Sequence, residues 1–274
     1  MAEKTVLIAD CSSGIGRASA LAFLSEEWRV YAAARDSATL DALDDAGCRT
    51  AELDVTDGEG VERVVDRVIE EAGRIDCLVN DPGYVQHGPI EDVPADRVHA
   101  QFDANVYGVH RLTRAVLPHM RDRGEGVVVN LSSAVGRVAT PGLGVYSASK
   151  FAVEAMSDAL RPEVTDYGID VVVVEPGPVD TRFAERAASE SSALDRSGAY
   201  DAFYQLYEDG EDLGGEGPFV LAPERVAVAV VDAAVSPDPP ARYPVGTLAR
   251  VAGYARLLPD GLRDRLLGFA LRRL

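Results

Sequence analysis

Tyr146 and Lys150 stand four residues apart in the segment YSASK, and on a helix that spacing puts both side chains on one face. An ammonium group beside a phenol favours the phenolate and draws its pKa from about 10 toward neutrality. Such a tyrosine can act as a general acid or base. A tyrosine/lysine pair at this spacing is common on protein surfaces, but two observations set this one apart. Ser133, thirteen residues upstream, brings a further hydroxyl at the end of a predicted strand. Of 27 basic residues only Lys4 and Lys150 are lysines, so a chain that uses arginine almost everywhere keeps a compact point charge at 150 instead of a planar fork.

A second centre lies near the start, in LIADCSSGIGRA, Leu7 to Ala18. A β-branched run passes through a turn holding Gly14 and Gly16 into a helical pattern. In that context the backbone N–H groups of Ser12, Ser13, Gly14, Ile15 and Gly16 form a candidate cradle for a pyrophosphate, to which the Ser13 hydroxyl adds a donor. The segment YAAARD ends the next predicted strand with Ala34 where an acid would bind a ribose 2′-hydroxyl. Arg35 follows and suits a 2′-phosphate, which predicts NADP(H) over NAD(H). The alternative is that Arg35 only decorates a loop. Asp10 occupies the position of the turn's first glycine, a negative charge at a phosphate site.

These residues need elements to hold them. Candidate strands are 5–9, 29–34, 50–55, 77–80, 127–132, 170–176 and 242–245, alternating with helical patterns near 14–25, 37–46, 57–72, 95–122, 144–167 and 222–235. Valine-rich strands without alternation are buried on both faces, as in a parallel sheet covered by helices. The order of elements predicts a single doubly wound α/β domain over 1–274. Residues 181–221 break the alternation and read as a substrate lid, with Tyr200, Phe203, Tyr204 and Tyr207 as an aromatic stripe that either packs in a core or roofs a pocket. Residues 246–274 read as one amphipathic helix rich in leucine and arginine, expected to pack over its own domain, with a membrane or partner subunit as the alternative.

Composition narrows the function further. Forty-five acidic residues against 27 basic give a net charge of -18, which makes nucleic acid and anionic membranes poor partners for the chain as a whole. The acid excess and lysine scarcity resemble proteins of organisms with molar salt in the cytoplasm; a GC-rich genome favouring arginine codons is the alternative. Cys11, Cys48 and Cys77 show neither metal-ligand spacing nor a disulfide framework, which predicts a reduced, cytoplasmic protein with no metal. Neither a signal peptide nor an apolar run of membrane-spanning length is legible.

Over essentially its whole length the chain resembles the short-chain dehydrogenase/reductases. The resemblance rests on CSSGIG, Asp54-Val55, Asn105 in ANVYG, Ser133, YSASK and the segment PGPVDT at 176–181. It implies a Rossmann-type fold of about seven strands. It also implies that Tyr146 exchanges the proton, Ser133 binds the substrate oxygen, Lys150 binds the nicotinamide ribose and Asn105 holds a water linking Lys150 to solvent. Asp54 and Val55 would meet the adenine, Asn80 and Gly83 would line the cofactor cleft, and Pro176, Gly177, Val179 and Thr181 would hold the nicotinamide end. Within the family, CSSGIG, YAAARD and the C-terminal segment resemble the NADP-using 17β-hydroxysteroid and retinol dehydrogenase-like branch. That implies a bulky hydrophobic alcohol/ketone pair as substrate and a homodimer or homotetramer assembled through the 95–122 and 144–167 helices. Three positions depart from the family at the cleft: Asp10, Asp81 and Pro82. They leave a competing reading, a binding or regulatory protein that kept the fold and lost productive cofactor binding.

Overall fold

The computed structural model describes residues 3–181, 189–192, 194–201, 203–205 and 219–271. Seven strands form one sheet: β1 (Thr5–Ala9), β2 (Arg29–Ala34), β3 (Arg49–Glu52), β4 (Cys77–Asn80), β5 (Gly126–Leu131), β6 (Ile169–Pro176) and β7 (Arg242–Val245). All pairs are parallel and the order is β3-β2-β1-β4-β5-β6-β7. The helices are α1 (Gly14–Ser25), α2 (Asp41–Asp45), α3 (Gly58–Ala72), α4 (Ala95–Phe102), α5 (Val109–Arg123), α6 (Gly144–Val164), α7 (Pro223–Val235), α8 (Thr247–Ala255) and α9 (Asp260–Leu271).

Every residue of β1 is buried. Because side chains alternate along a strand, Val6 and Ile8 face one layer and Leu7 and Ala9 the other. The first layer packs Phe23 of α1, Leu43 of α2 and Val226 and Val230 of α7; the second packs Val61 and Val65 of α3 and Leu112 and Val116 of α5. A sheet with apolar helices on both faces is the reason its strands read as unbroken Val/Ala runs. This is a Rossmann-type domain.

Several sequence expectations change. The helix expected over 37–46 is a 3₁₀ turn, Ser37–Leu40, followed by the five-residue α2. The third strand ends at Glu52, before the expected 55. The expected helix 95–122 is two helices joined by a π turn, Asp103–Gly108. Two contacts fix that turn: a Cβ on Gly108 would lie 2.6 Å from Val55 Cγ2, and Asn105 is held inward by the loop after β4. Widened turns of this kind recur at functional sites. The single C-terminal helix becomes α8 and α9, because Pro259 follows Leu257-Leu258 and cannot continue a helix from α8. Of the expected lid, residues 182–188, 193, 202 and 206–218 lie outside the described residues, and Tyr207 of the stripe with them.

Like charges repel more as screening falls, and the chain carries an acidic excess of 18 charges. Tm is therefore expected to rise by about 10 °C between about 0.1 M and about 2 M KCl, at roughly 2–4 °C for each kcal/mol of relieved repulsion. Circular dichroism melts along a KCl series measure it, and a flat profile would refute the electrostatic account.

Candidate active site

The connection after β1 enters α1 on one face of the sheet, while that after β4 leads to α4 and α5 on the other. A crevice opens between them at the carboxyl ends, where such sheets bind ligands. A cavity of about 700 Å³ fills it. One end is lined by Ser12, Ser13, Gly14, Ile15 and Arg35 and the other by Ser133, Tyr146 and Lys150; Pro176, Gly177, Val179 and Thr181 also line the cavity, with Thr181 against Gly14. A second cavity of about 410 Å³ shares Asp10, Arg35 and Gly83 with the first and is lined by Asp54 and Val55. The glycine turn, Arg35, the Asp54-Val55 pair and the side chains of Ser133, Tyr146 and Lys150 therefore sit around two adjoining spaces.

Two residues expected to line the cleft do not. Asn80 is fully buried, and its Nδ2 donates to Thr113 Oγ1 (3.1 Å) and Asn130 Oδ1 (2.8 Å). Asn130 in turn donates to Ser157 Oγ (2.9 Å), so Asn80 belongs to a polar chain that ties β4, β5, α5 and α6 together. Gly16 lines neither cavity. It closes the turn: a Cβ there would lie 2.3 Å from the Asp10 carbonyl oxygen, which no other residue could accommodate. Gly14 has φ +57°, and a Cβ on it would approach Thr181 Cγ2 to 2.9 Å.

At the catalytic end Ser133 follows β5, and its Oγ accepts the Val135 N–H (3.3 Å) and hydrogen-bonds Tyr146. Lys150, one turn along α6 from Tyr146, is buried and donates from Nζ to the Leu131 carbonyl (2.8 Å). Its Nζ lies 5.8 Å from the Tyr146 ring centroid. The expected depression of the tyrosine pKa is not found. Burial pushes the Tyr146 phenol well above its ordinary range, the negative charge of Asp81 adds to this, and the Ser133 hydrogen bond opposes it. Lys150 is itself pulled down by burial, against the charges of Asp81 and Glu154 that hold it up. Desolvation therefore dominates at Tyr146, and the Lys150 ammonium is directed at the Leu131 carbonyl.

Asn105 works through its side chain on the loop after β4. Its Oδ1 accepts the Tyr84 N–H (3.2 Å), and its Nδ2 donates to the Tyr84 carbonyl (3.0 Å) and to Ser149 Oγ (3.1 Å). Ser149 Oγ donates to the Tyr146 carbonyl (2.7 Å), so Asn105 clasps the Gly83-Tyr84 loop to the turn of α6 that carries Tyr146.

Asp10 and Asp81 meet because Ala9 of β1 pairs with Asn80 of β4, and each aspartate is the next residue. Asp10 has φ +66° and lines both cavities; aspartate enters the left-handed region more readily than most residues. Its Oδ1 accepts from Ser12 Oγ (3.2 Å). Asp81 lines the larger cavity, with its carboxyl pushed up to about 8 by burial and by the Asp10 charge, against the pull of Lys150 and of the Gly16 N–H that it accepts. The cleft thus sets backbone amides and an arginine beside Asp10, whose charge would oppose a phosphate, and Asp81, which would oppose one once it ionises.

Sequence reasoning missed several residues. Thr39 and Asp36 line the cleft beside Arg35, and Asp36 caps the 3₁₀ turn by accepting the Ala38 N–H (3.0 Å). Tyr84, Val135 and Leu143 give the catalytic end apolar walls. Leu143 was detectable from its place one turn before Tyr146, whereas Tyr84 had no local signal. Among the described residues of the aromatic stripe, Tyr200, Phe203 and Tyr204, none lines this cavity. Tyr200 donates to Glu91 (2.6 Å), Tyr204 donates to Asp92 (2.9 Å) and Phe203 stacks on His87 with ring centroids 6.2 Å apart, so the stripe packs on the 87–92 loop.

The fold and the cleft together define a dinucleotide-binding domain with a serine, tyrosine and lysine converging at one end of the cleft. Residues 4–192 match the family model for short chain dehydrogenase, and the chain belongs to that family, whose members are NAD(P)(H)-linked oxidoreductases. It is 37% identical over 269 residues to the uncharacterized oxidoreductase YbbO of Escherichia coli K12, covering 97% of this chain and 94% of the relative. It is 35% identical to 17-beta-hydroxysteroid dehydrogenase type 1 of Homo sapiens, covering 89% and 77%. An NADPH-dependent 3-dehydrocapnine reductase of Ornithobacterium rhinotracheale is 31% identical over 98% of this chain and 97% of its own. Among solved structures, a short-chain dehydrogenase from Streptomyces avermitilis superposes with a TM-score of 0.79 at 33% identity, covering 98% and 97% of the two chains.

Two like charges about 5 Å apart at an effective dielectric of 20 repel by about 3 kcal/mol. Even half of that exceeds the 1.4 kcal/mol, about, that makes a tenfold change in affinity. Asp10→Gly is expected to tighten NADPH binding at least about tenfold, most at low salt, as read by nicotinamide fluorescence. The raised carboxyl of Asp81 sets the sign for pH: protonated below about 8, it leaves the cleft less negative, and it ionises above. NADPH affinity should therefore fall as pH rises through that value, and Asp81→Asn should flatten the dependence. An unchanged slope in Asp81→Asn would remove Asp81 from the account.

Proposed function

We propose that the chain is an NADP(H)-dependent oxidoreductase that interconverts a secondary alcohol and a ketone, or an alcohol and an aldehyde, on a bulky hydrophobic substrate. The observation that carries this reading is the convergence of Ser133, Tyr146 and Lys150 on one end of a cleft whose other end holds the phosphate turn and Arg35. The nicotinamide, when bound, supplies or accepts the hydride at the carbinol carbon. Ser133 Oγ holds the substrate oxygen, and Tyr146 exchanges the proton with that oxygen. A phenol kept protonated by burial is set to donate, which favours carbonyl reduction. Lys150 holds the nicotinamide ribose and Arg35 the 2′-phosphate. Tyr84, Val135 and Leu143 support an apolar substrate, in line with the hydroxysteroid relative, and the NADPH-dependent relative supports the cofactor.

The acid excess and near-absence of lysine support a cytoplasm of molar salt, and membership of the family supports assembly as a homodimer or homotetramer. One observation favours a second reading. Asp81 accepts the Gly16 N–H, a donor at the N-terminus of α1 where a phosphate would bind. A protein in which that contact persists would be a binding or regulatory relative with no turnover.

Tyr146→Phe should lower turnover with NADPH and a hydrophobic ketone by at least about a hundredfold while NADPH still quenches or shifts fluorescence as in the wild type. Arg35→Ala should weaken NADPH about tenfold or more and leave NADH nearly unchanged. Near-normal turnover in Tyr146→Phe would overturn the catalytic assignment, and tighter NADH than NADPH binding by the wild type would overturn the cofactor assignment.

A further inference from the structure

The charge of the chain is unevenly placed. Residues 247–274 hold six arginines against two aspartates, whereas the rest holds 21 basic against 43 acidic side chains; Arg263 is paired with Asp260 (2.8 Å) and Asp264 (3.9 Å), and the other described arginines of the segment are Arg250, Arg256 and Arg265. The same segment is the least covered apolar part of the structure. Along α8 and its end, Val251 is 56% exposed, Tyr254 76% and Leu257 82%, and on α9 Leu262 and Leu266 are about half exposed. Spacings of three and four residues put these side chains in ridges along each helix. Arg250 and Arg265 are exposed beside them. Each of the two helices thus carries its own exposed apolar ridge, and large exposed apolar patches mark interaction surfaces.

We propose that α8 and α9 dock on the surface of an anionic lipid bilayer. Helices with leucine, valine and tyrosine exposed along them and arginine beside those side chains lie in the plane of a membrane interface. Among the described residues no helix is long and apolar enough to cross one, so the segment rests on the surface. A second copy of the chain is the poorer occupant: a two-fold contact sets a face against itself, here a segment of net positive charge against its like. The acidic body does not forbid docking, because at physiological ionic strength its charges are screened over about 8 Å, while the arginines stand at the contact. The net charge that makes the whole chain a poor membrane partner therefore does not describe this end.

The first turn of α8 borders the cleft. A Cβ on Gly177, which lines the larger cavity, would lie 3.8 Å from Leu248 Cβ. A bilayer under α8 would thus adjoin the catalytic end and could deliver a lipid-dissolved alcohol or ketone. That consequence rests on the function proposed above; the docking itself does not.

Vesicle flotation with the full chain tests it, in the lowest salt at which circular dichroism shows native helix content. The wild type should float with vesicles of phosphatidylglycerol and phosphatidylcholine at least about tenfold more than with phosphatidylcholine alone. Tyr254→Ser with Leu257→Ser, and separately Arg250→Glu with Arg265→Glu, should abolish flotation while leaving circular dichroism and NADPH titration unchanged. The proposal is overturned if the wild type stays with the soluble fraction, if it floats equally with both vesicles, or if either double variant still floats. It is also overturned if the variants change the sedimentation coefficient of a wild type that does not float, which would assign the face to a second copy. Flotation needs neither cofactor nor substrate, so loss of the catalytic reading would leave its result standing.

Discussion

The site depends on one topological constraint, the divergence of the chain on either side of the β1–β4 pair. β1 sends its connection to the α1 face and β4 to the α5 face, so these two connections diverge and leave a crevice at the carboxyl ends between them. The register Ala9 to Asn80 then decides which side chains share the gap. Asp10 and Asp81 are far apart in sequence and adjacent in space, and the charge of Asp10 raises the cost of ionising Asp81. The same gap takes in Arg35 from the end of β2 and Tyr146 and Lys150 from α6. A dinucleotide site and its electrostatic obstacle thus have a common origin in the strand order.

How much of this was legible in the sequence follows from the range of the forces involved. The strands of the sheet were legible because burial on both faces leaves an unbroken apolar run. Tyr146 and Lys150 were legible because a helical spacing of four residues is local, and Ser133 because it ends a strand. Where tertiary contacts decide, the sequence was silent or misleading. Asn80 follows an apolar strand as a cofactor residue would, yet it spends its amide on Thr113 and Asn130, which lie 33 and 50 residues away. The aromatic stripe had the right period for a helix face, but only Glu91, Asp92 and His87 determine which surface that face meets. The tyrosine pKa fails for the same reason: proximity to a lysine is written in four residues, whereas desolvation depends on the whole fold.

Behind the catalytic end lies a buried ion cluster that fixes its geometry. Glu154, one turn beyond Lys150 on α6, meets Arg242 of β7 (3.0 Å) and Arg137 (3.7 Å), and both arginines also contact Glu175 of β6 (3.2 and 3.5 Å). Burial and the neighbouring Glu154 push the Glu175 carboxyl up to about 7, held back by the two arginines. The cluster joins α6, β6, β7 and the turn after Ser133. Its buried charges contribute little net stability by themselves, but removing one member would leave another unpaired, and that is costly. The position of Ser133 relative to Lys150 is therefore set from beneath as well as by the sheet.

The burial of Lys150 has a practical side. Lys4 is the chain's other lysine and is exposed, with its ammonium 5.1 Å from the Trp28 ring at the end of the molecule opposite the cleft mouth. Amine-directed coupling chemistry would find Lys4 and pass over Lys150. Among lysine side chains a resin, a fluorophore or a crosslinker would attach at a single point, with one orientation on a support and the cleft turned away from it.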